Sequence, residues 1–82
     1  MKIVADMDVP FLKGVFEPYA EVIYKKGIEI SREDVADADA LIVRTRTRCD
    51  ADLLEGTSVR MVATATIGMD HIDLDYCASR GI

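Results

Sequence analysis

Ala40-Leu41-Ile42-Val43-Arg44-Thr45-Arg46-Thr47-Arg48 decides the fold, because four consecutive apolar residues bounded by Asp39 and Arg44 match a strand buried on both faces. A strand with one wet face alternates apolar and polar residues; this one does not. It therefore belongs at the centre of a sheet. Its neighbours along the chain alternate strand and helix signals. Upstream, Lys2 to Ala5 is short and β-prone. Pro10 fits the first turn of a helix ending near Glu17, with Leu12, Val15 and Phe16 as its inner stripe and Tyr19 packing from the connection. Glu21 to Tyr24 reads as a second strand, followed by a polar turn at Lys25, Lys26 and Gly27 and the segment Ile28 to Ile30.

Ser31 with Asp34 three residues later matches a capping box opening a short helix. Beyond the central strand, Asp50 can cap a brief helix through Leu53 and Leu54, Arg60 to Thr66 reads as another strand, and Asp73 can cap a last helix through Leu74, Cys77 and Ala78. Strands alternating with helices predict an α/β fold, a flavodoxin-like parallel sheet with helices on both faces.

The 82 residues suffice for one domain, and a chain this short buries only about 60% of the surface its unfolded form exposes. Half of the residues are apolar and 30% charged, so a core is available and disorder is not expected. Ten basic residues against 15 acidic ones give a formal charge of −5, which argues against nonspecific attraction to nucleic acid or to an anionic membrane. No apolar run approaches the roughly 20 residues needed to cross a bilayer. Cys49 and Cys77 are too few and too far apart to suggest a metal site, and a reduced cytoplasmic setting is the default.

Ligands of open parallel sheets bind beyond the carboxyl ends of the strands. Three such ends carry chemistry here: Asp6 to Asp8, Arg44 to Arg48, and Thr64 to Asp70. Extended backbone from Arg44 to Arg48 would place arginines on one side and threonines on the other, a surface able to grip a carboxylate or phosphate. The plain alternative is a solvated basic edge. Gly68 would let backbone approach a ligand, with Thr66 presenting its hydroxyl beside free amides, although a simple turn explains the same residues. His71, the one histidine, reads as a local hydrogen-bonding residue beside capping aspartates rather than as a catalyst. Asp6 and Asp8 are compatible with Mg²⁺ or with an acidic helix start, and they also suit a non-enzymatic receiver-like module. A receiver, however, needs an aspartate after the third strand, where this chain has Arg44 and Thr45. No glycine-rich dinucleotide fingerprint occurs.

Two stretches, Ala36-Asp37-Ala38-Asp39-Ala40-Leu41-Ile42-Val43-Arg44-Thr45 and Val62-Ala63-Thr64-Ala65-Thr66-Ile67-Gly68-Met69-Asp70-His71-Ile72-Asp73, resemble the N-terminal domain of D-2-hydroxyacid dehydrogenases. The closing Ala78-Ser79-Arg80-Gly81-Ile82 fits as well. The resemblance implies that residues 1–82 are the N-terminal part of a substrate-binding domain, with the cofactor-binding domain and the catalytic arginine, glutamate and histidine further along the parent chain. It also implies NAD as the cofactor, a phosphorylated hydroxy acid as the small-molecule partner, and a homodimeric parent. Substrate contacts would fall on Thr45 and Thr66, with Arg44 and Gly68 as neighbours, and the chain by itself would be inactive.

Overall fold

The computed structural model of the chain describes residues 1–10, 12–65 and 68–82. Among these residues four strands form one parallel sheet: β1 (Lys2–Asp6), β2 (Glu21–Lys25), β3 (Ala40–Val43) and β4 (Met61–Thr64), in the spatial order β2-β1-β3-β4. The order matches a flavodoxin-like sheet, and its reversal of direction falls between β1 and β3. Among the described residues three short helices accompany it: α1 (Arg32–Val35), α2 (Ala51–Leu54) and α3 (Leu74–Ser79), with a 3₁₀ turn at Gly27–Glu29.

All four residues of β3 are buried, as a strand covered on both faces requires. Their side chains divide by the two-residue period of a strand. Leu41 is in register with Val4 of β1 and Val62 of β4, and these join Val35, Leu53, Leu54 and Cys77 in one cluster. Ala40 and Ile42 turn to the opposite face, where they meet Ile3 and Ala5 and the half-buried Leu12, Val22 and Tyr24. The helices α1, α2 and α3 all contribute to the first cluster.

The segment expected as a helix after Pro10 consists of turns and bends among its described residues. Gly14 adopts a φ of 92°, outside the helical region, and Pro18 has no amide proton to donate. The Glu17 carboxylate accepts from the Gly14 amide at 2.9 Å and from the Tyr24 hydroxyl at 2.8 Å, holding the bend against β2. Leu12 is half-buried, but Val15, Phe16 and Tyr19 are exposed, Tyr19 by 83%. Two of the three stripe positions thus do not face the core, and Tyr19 does not pack from the connection.

The capping box at α1 forms: the Asp34 carboxylate accepts from the Ser31 amide at 2.9 Å and from its hydroxyl at 3.0 Å, and also pairs with Lys25 Nζ at 2.9 Å. Lys25 first, then the Ser31 amide, holds the Asp34 carboxyl below its ordinary range. A depressed folded pKa contributes stability above the unfolded value and loses it as pH falls through the folded one. Asp34→Ala is therefore expected to cost about 1 kcal/mol at pH 7. Urea denaturation at a series of pH values checks this: the gap to the unmodified chain should shrink below the ordinary carboxylate range, and a pH-independent gap would contradict the assignment.

Candidate functional site

The carboxyl ends of β1, β3 and β4 bring the described residues of the three chemical stretches to one edge of the domain. Three locks hold the loops there. At the end of β1, Asp6 is 2% exposed, and its Oδ1 accepts from the Asp8 amide at 2.9 Å. Its other oxygen lies against Gly27, where an added Cβ would run into the carboxylate and sit 3.2 Å from Thr47 Oγ1. Only a residue without a side chain allows this approach. Thr47, also buried, donates its hydroxyl to the Gly27 carbonyl at 2.8 Å and so ties the loop after β3 to the turn after β2.

The second lock crosses the sheet's switch point. Arg44 Nη1 donates to the Asp8 carbonyl at 3.0 Å, which binds the end of β3 to the loop after β1. The third joins the loops after β3 and β4: the Cys49 amide donates to the His71 carbonyl at 2.8 Å, and the Asp73 amide returns to the Cys49 carbonyl at 2.8 Å, a short parallel bridge. Beside it His71, 9% exposed, places Nε2 3.0 Å from Thr64 Oγ1. The histidine is a local hydrogen-bonding residue at the root of the loop, as its sequence context indicates.

Residues 45 and 46 lie in a turn rather than in extended chain, and the Thr47 amide donates back to the Arg44 carbonyl at 3.4 Å. The strict alternation expected from Arg44 to Arg48 is therefore lost. Thr47 points inward to Gly27 while Thr45 and Arg46 remain exposed. The turn forms because the sheet ends at Val43 and the buried Thr47 hydroxyl fixes where the chain must re-enter.

Thr45 is a wall of two of the cavities at this edge. One, of about 380 Å³, is lined by Thr45, Gly68, Asp70 and His71. The other, of about 150 Å³, is lined by Asp6, Asp8, Arg44, Thr45 and Arg46. Of the four residues singled out as substrate contacts, Thr45 and Gly68 share the larger cavity, Thr45 and Arg44 share the smaller, and Thr66 lies outside the described residues. Arg46, Asp70 and His71 were not among those four. The arginine is visible in the sequence as part of the cationic run, whereas the other two become wall residues only through the bridge at Cys49.

Cys49 is fully buried, and burial, with Cys77 nearby, pushes its thiol up to about 12; burial also raises the Cys77 thiol. Neither supplies thiolate at neutral pH. At pH 7.5 a chromogenic disulfide reagent is expected to label the folded chain slowly and both thiols rapidly in denaturant. Rapid labelling of the folded chain would contradict this burial.

A parallel sheet in the order β2-β1-β3-β4, with arginine, threonine and aspartate residues gathered at its carboxyl edge, defines an α/β domain of flavodoxin-like type. Residues 2–82 match the family described as D-isomer specific 2-hydroxyacid dehydrogenase, catalytic domain, and the chain belongs to that family. It is 54% identical over 83 residues to an erythronate-4-phosphate dehydrogenase of Bacteroides thetaiotaomicron, covering all of this chain and 24% of that protein. Proteins of the same name from Teredinibacter turnerae and Porphyromonas gingivalis are 51% and 48% identical over the whole chain, each covered to 22%. The chain thus spans about a quarter of the length of the curated relatives it matches.

Proposed function

We propose that this chain is the N-terminal part of the substrate-binding domain of an NAD-dependent dehydrogenase that acts on 4-phospho-D-erythronate, a phosphorylated 2-hydroxy acid, in pyridoxine biosynthesis. The observation that carries the reading is the pair of cavities sharing Thr45, one beside the Gly68 loop and one beside Arg44. Supporting it are the relatives' name and their identity over the whole chain. Thr45, Gly68 and, by resemblance, Thr66 hold and orient the acid, and Arg44 offers a charge-assisted contact at the switch point. His71 is committed to Thr64 and is assigned no part in proton transfer.

The glycines, at positions 14, 27, 56, 68 and 81, include no pair separated by a single residue. The chain therefore carries no Gly-x-Gly turn of the kind that cradles a dinucleotide's phosphates at a helix start. NAD and the catalytic groups are assigned to other parts of a cytoplasmic, homodimeric enzyme. Dehydrogenases of glycerate or phosphoglycerate are the alternative, since the same cavities admit a smaller acid.

The test compares two preparations with NAD and each candidate acid. The 82-residue chain is expected to give no turnover, while the complete dehydrogenase should turn over 4-phosphoerythronate in preference to glycerate and 3-phosphoglycerate. Turnover by the chain alone, or preference for another acid by the complete enzyme, would overturn the assignment.

A further inference from the structure

Among the described residues, Arg46 is the one arginine of six without a protein partner. Arg32 donates to the Asp52 and Ala51 carbonyls, Arg44 to that of Asp8, and Arg80 to Leu54 and Tyr76, while Arg48 pairs with Asp50 and Arg60 with Asp39. In a chain with 15 acidic residues against 10 basic ones, an unpaired guanidinium is unexpected, the more so because Asp6 and Asp8 line the same cavity. The Asp6 carboxylate is already engaged by the Asp8 amide and enclosed against Gly27. Arg46 also borders a cleft of about 370 Å³ with Lys26, which likewise has no ion-pair partner among the described residues.

We infer that Arg46 is a specificity-determining residue that reads the phosphate end of the substrate, and this rests on the functional reading above. A phosphorylated four-carbon acid carries two anionic ends. Thr45 is the wall common to the two cavities, so a ligand lying across it can place its carboxylate beside Gly68 and its phosphomonoester in the smaller cavity. There Arg46 offers a planar fork of donors to a dianion, with Lys26 adding charge from the adjoining cleft. Arg44 lines the same cavity and has one nitrogen committed to the Asp8 carbonyl. The turn at residues 45 and 46 leaves Arg46 exposed while Thr47, the next residue, is buried against Gly27.

The experiment uses the complete dehydrogenase with Arg46→Lys and Arg46→Met, assayed on 4-phosphoerythronate and on erythronate without phosphate. Loss of a charge-assisted contact should lower kcat/KM on the phosphorylated acid roughly ten- to hundredfold for Arg46→Met, and less for Arg46→Lys, with little change on erythronate. Equal losses on both acids, or none on either, would overturn the role of Arg46 while leaving the functional reading intact. If the unmodified enzyme turned over neither acid, the functional reading would fall. Calorimetric titration with inorganic phosphate would then decide on Arg46: weakened binding in Arg46→Met would retain an anion site, and unchanged or absent binding would remove it.

Discussion

Leu41→Ala is expected to destabilise the chain by about 2–5 kcal/mol. Leu41 has no exposed surface, sits on an inner strand, and is in register with Val4 on one side and Val62 on the other. Truncation removes its transfer free energy and leaves a hole between two strands that pairing on both sides keeps from closing. For a domain of this size the whole stability is of the order of 4–12 kcal/mol, so the variant should unfold at much lower urea and could be largely unfolded at 37 °C. Ile28→Ala, at a residue 71% exposed, serves as the control and should change stability by less than about 0.5 kcal/mol. A Leu41→Ala midpoint matching the control would place Leu41 outside the core.

The contrast between Leu41 and Val15 shows what the sequence could and could not convey. Both are apolar residues in plausible periodic patterns. Leu41 lies in an uninterrupted apolar run, and for such a run the two-faced burial of an inner strand follows from composition alone. Val15 lies in a pattern of helical spacing, yet Gly14 and Pro18 remove the local support for a helix, and Glu17 takes up the Gly14 amide instead. Val15 is half exposed as a result, and Val15→Ala should cost little where the helical reading would have demanded more. The capping residues Ser31, Asp50 and Asp73 were legible for the opposite reason: Asp50 and Asp73 accept from the amides of Leu53 and Tyr76, and Ser31 is bonded to the Asp34 carboxylate, each three residues away, so the relevant geometry is local.

The candidate site was legible in its residue types and less so in its arrangement. An Arg-Thr repeat after a central strand is compatible with anion binding or with a solvated basic edge, but the expected alternation assumes extended chain, and a turn at residues 45 and 46 replaces it. That turn depends on Thr47 reaching the Gly27 carbonyl, a contact twenty residues away that no local pattern reveals. Likewise, Gly27 reads as a turn residue in sequence, whereas its position against Asp6 is set by the parallel pairing of β1 with β2.

Arg44 supports the last prediction, because its bond to Asp8 and its proposed contact with the substrate separate by measurement. Its guanidinium has five donors, of which one is spent on the Asp8 carbonyl at 3.0 Å, so the remaining edge can serve a substrate anion in the adjoining cavity. In the proposed full-length dehydrogenase, Arg44→Lys would keep a charge but has no planar fork and could not hold the Asp8 carbonyl and a substrate anion in the same geometry. A rise in KM of about tenfold is expected. Arg44→Met removes both contacts, and kcat/KM should fall by roughly ten- to hundredfold, the equivalent of about 1.5–3 kcal/mol for a hydrogen bond to a charged group. Stability should fall by only about 0.5–1.5 kcal/mol in the same variant, from the lost bond to Asp8. Were Arg44 only a brace between β1 and β3, Arg44→Met would show that stability loss with kinetics unchanged. Were it only a surface charge, both would stay constant. Steady-state kinetics on variants shown by circular dichroism to be folded, together with urea midpoints, distinguish a ligand clamp from either alternative.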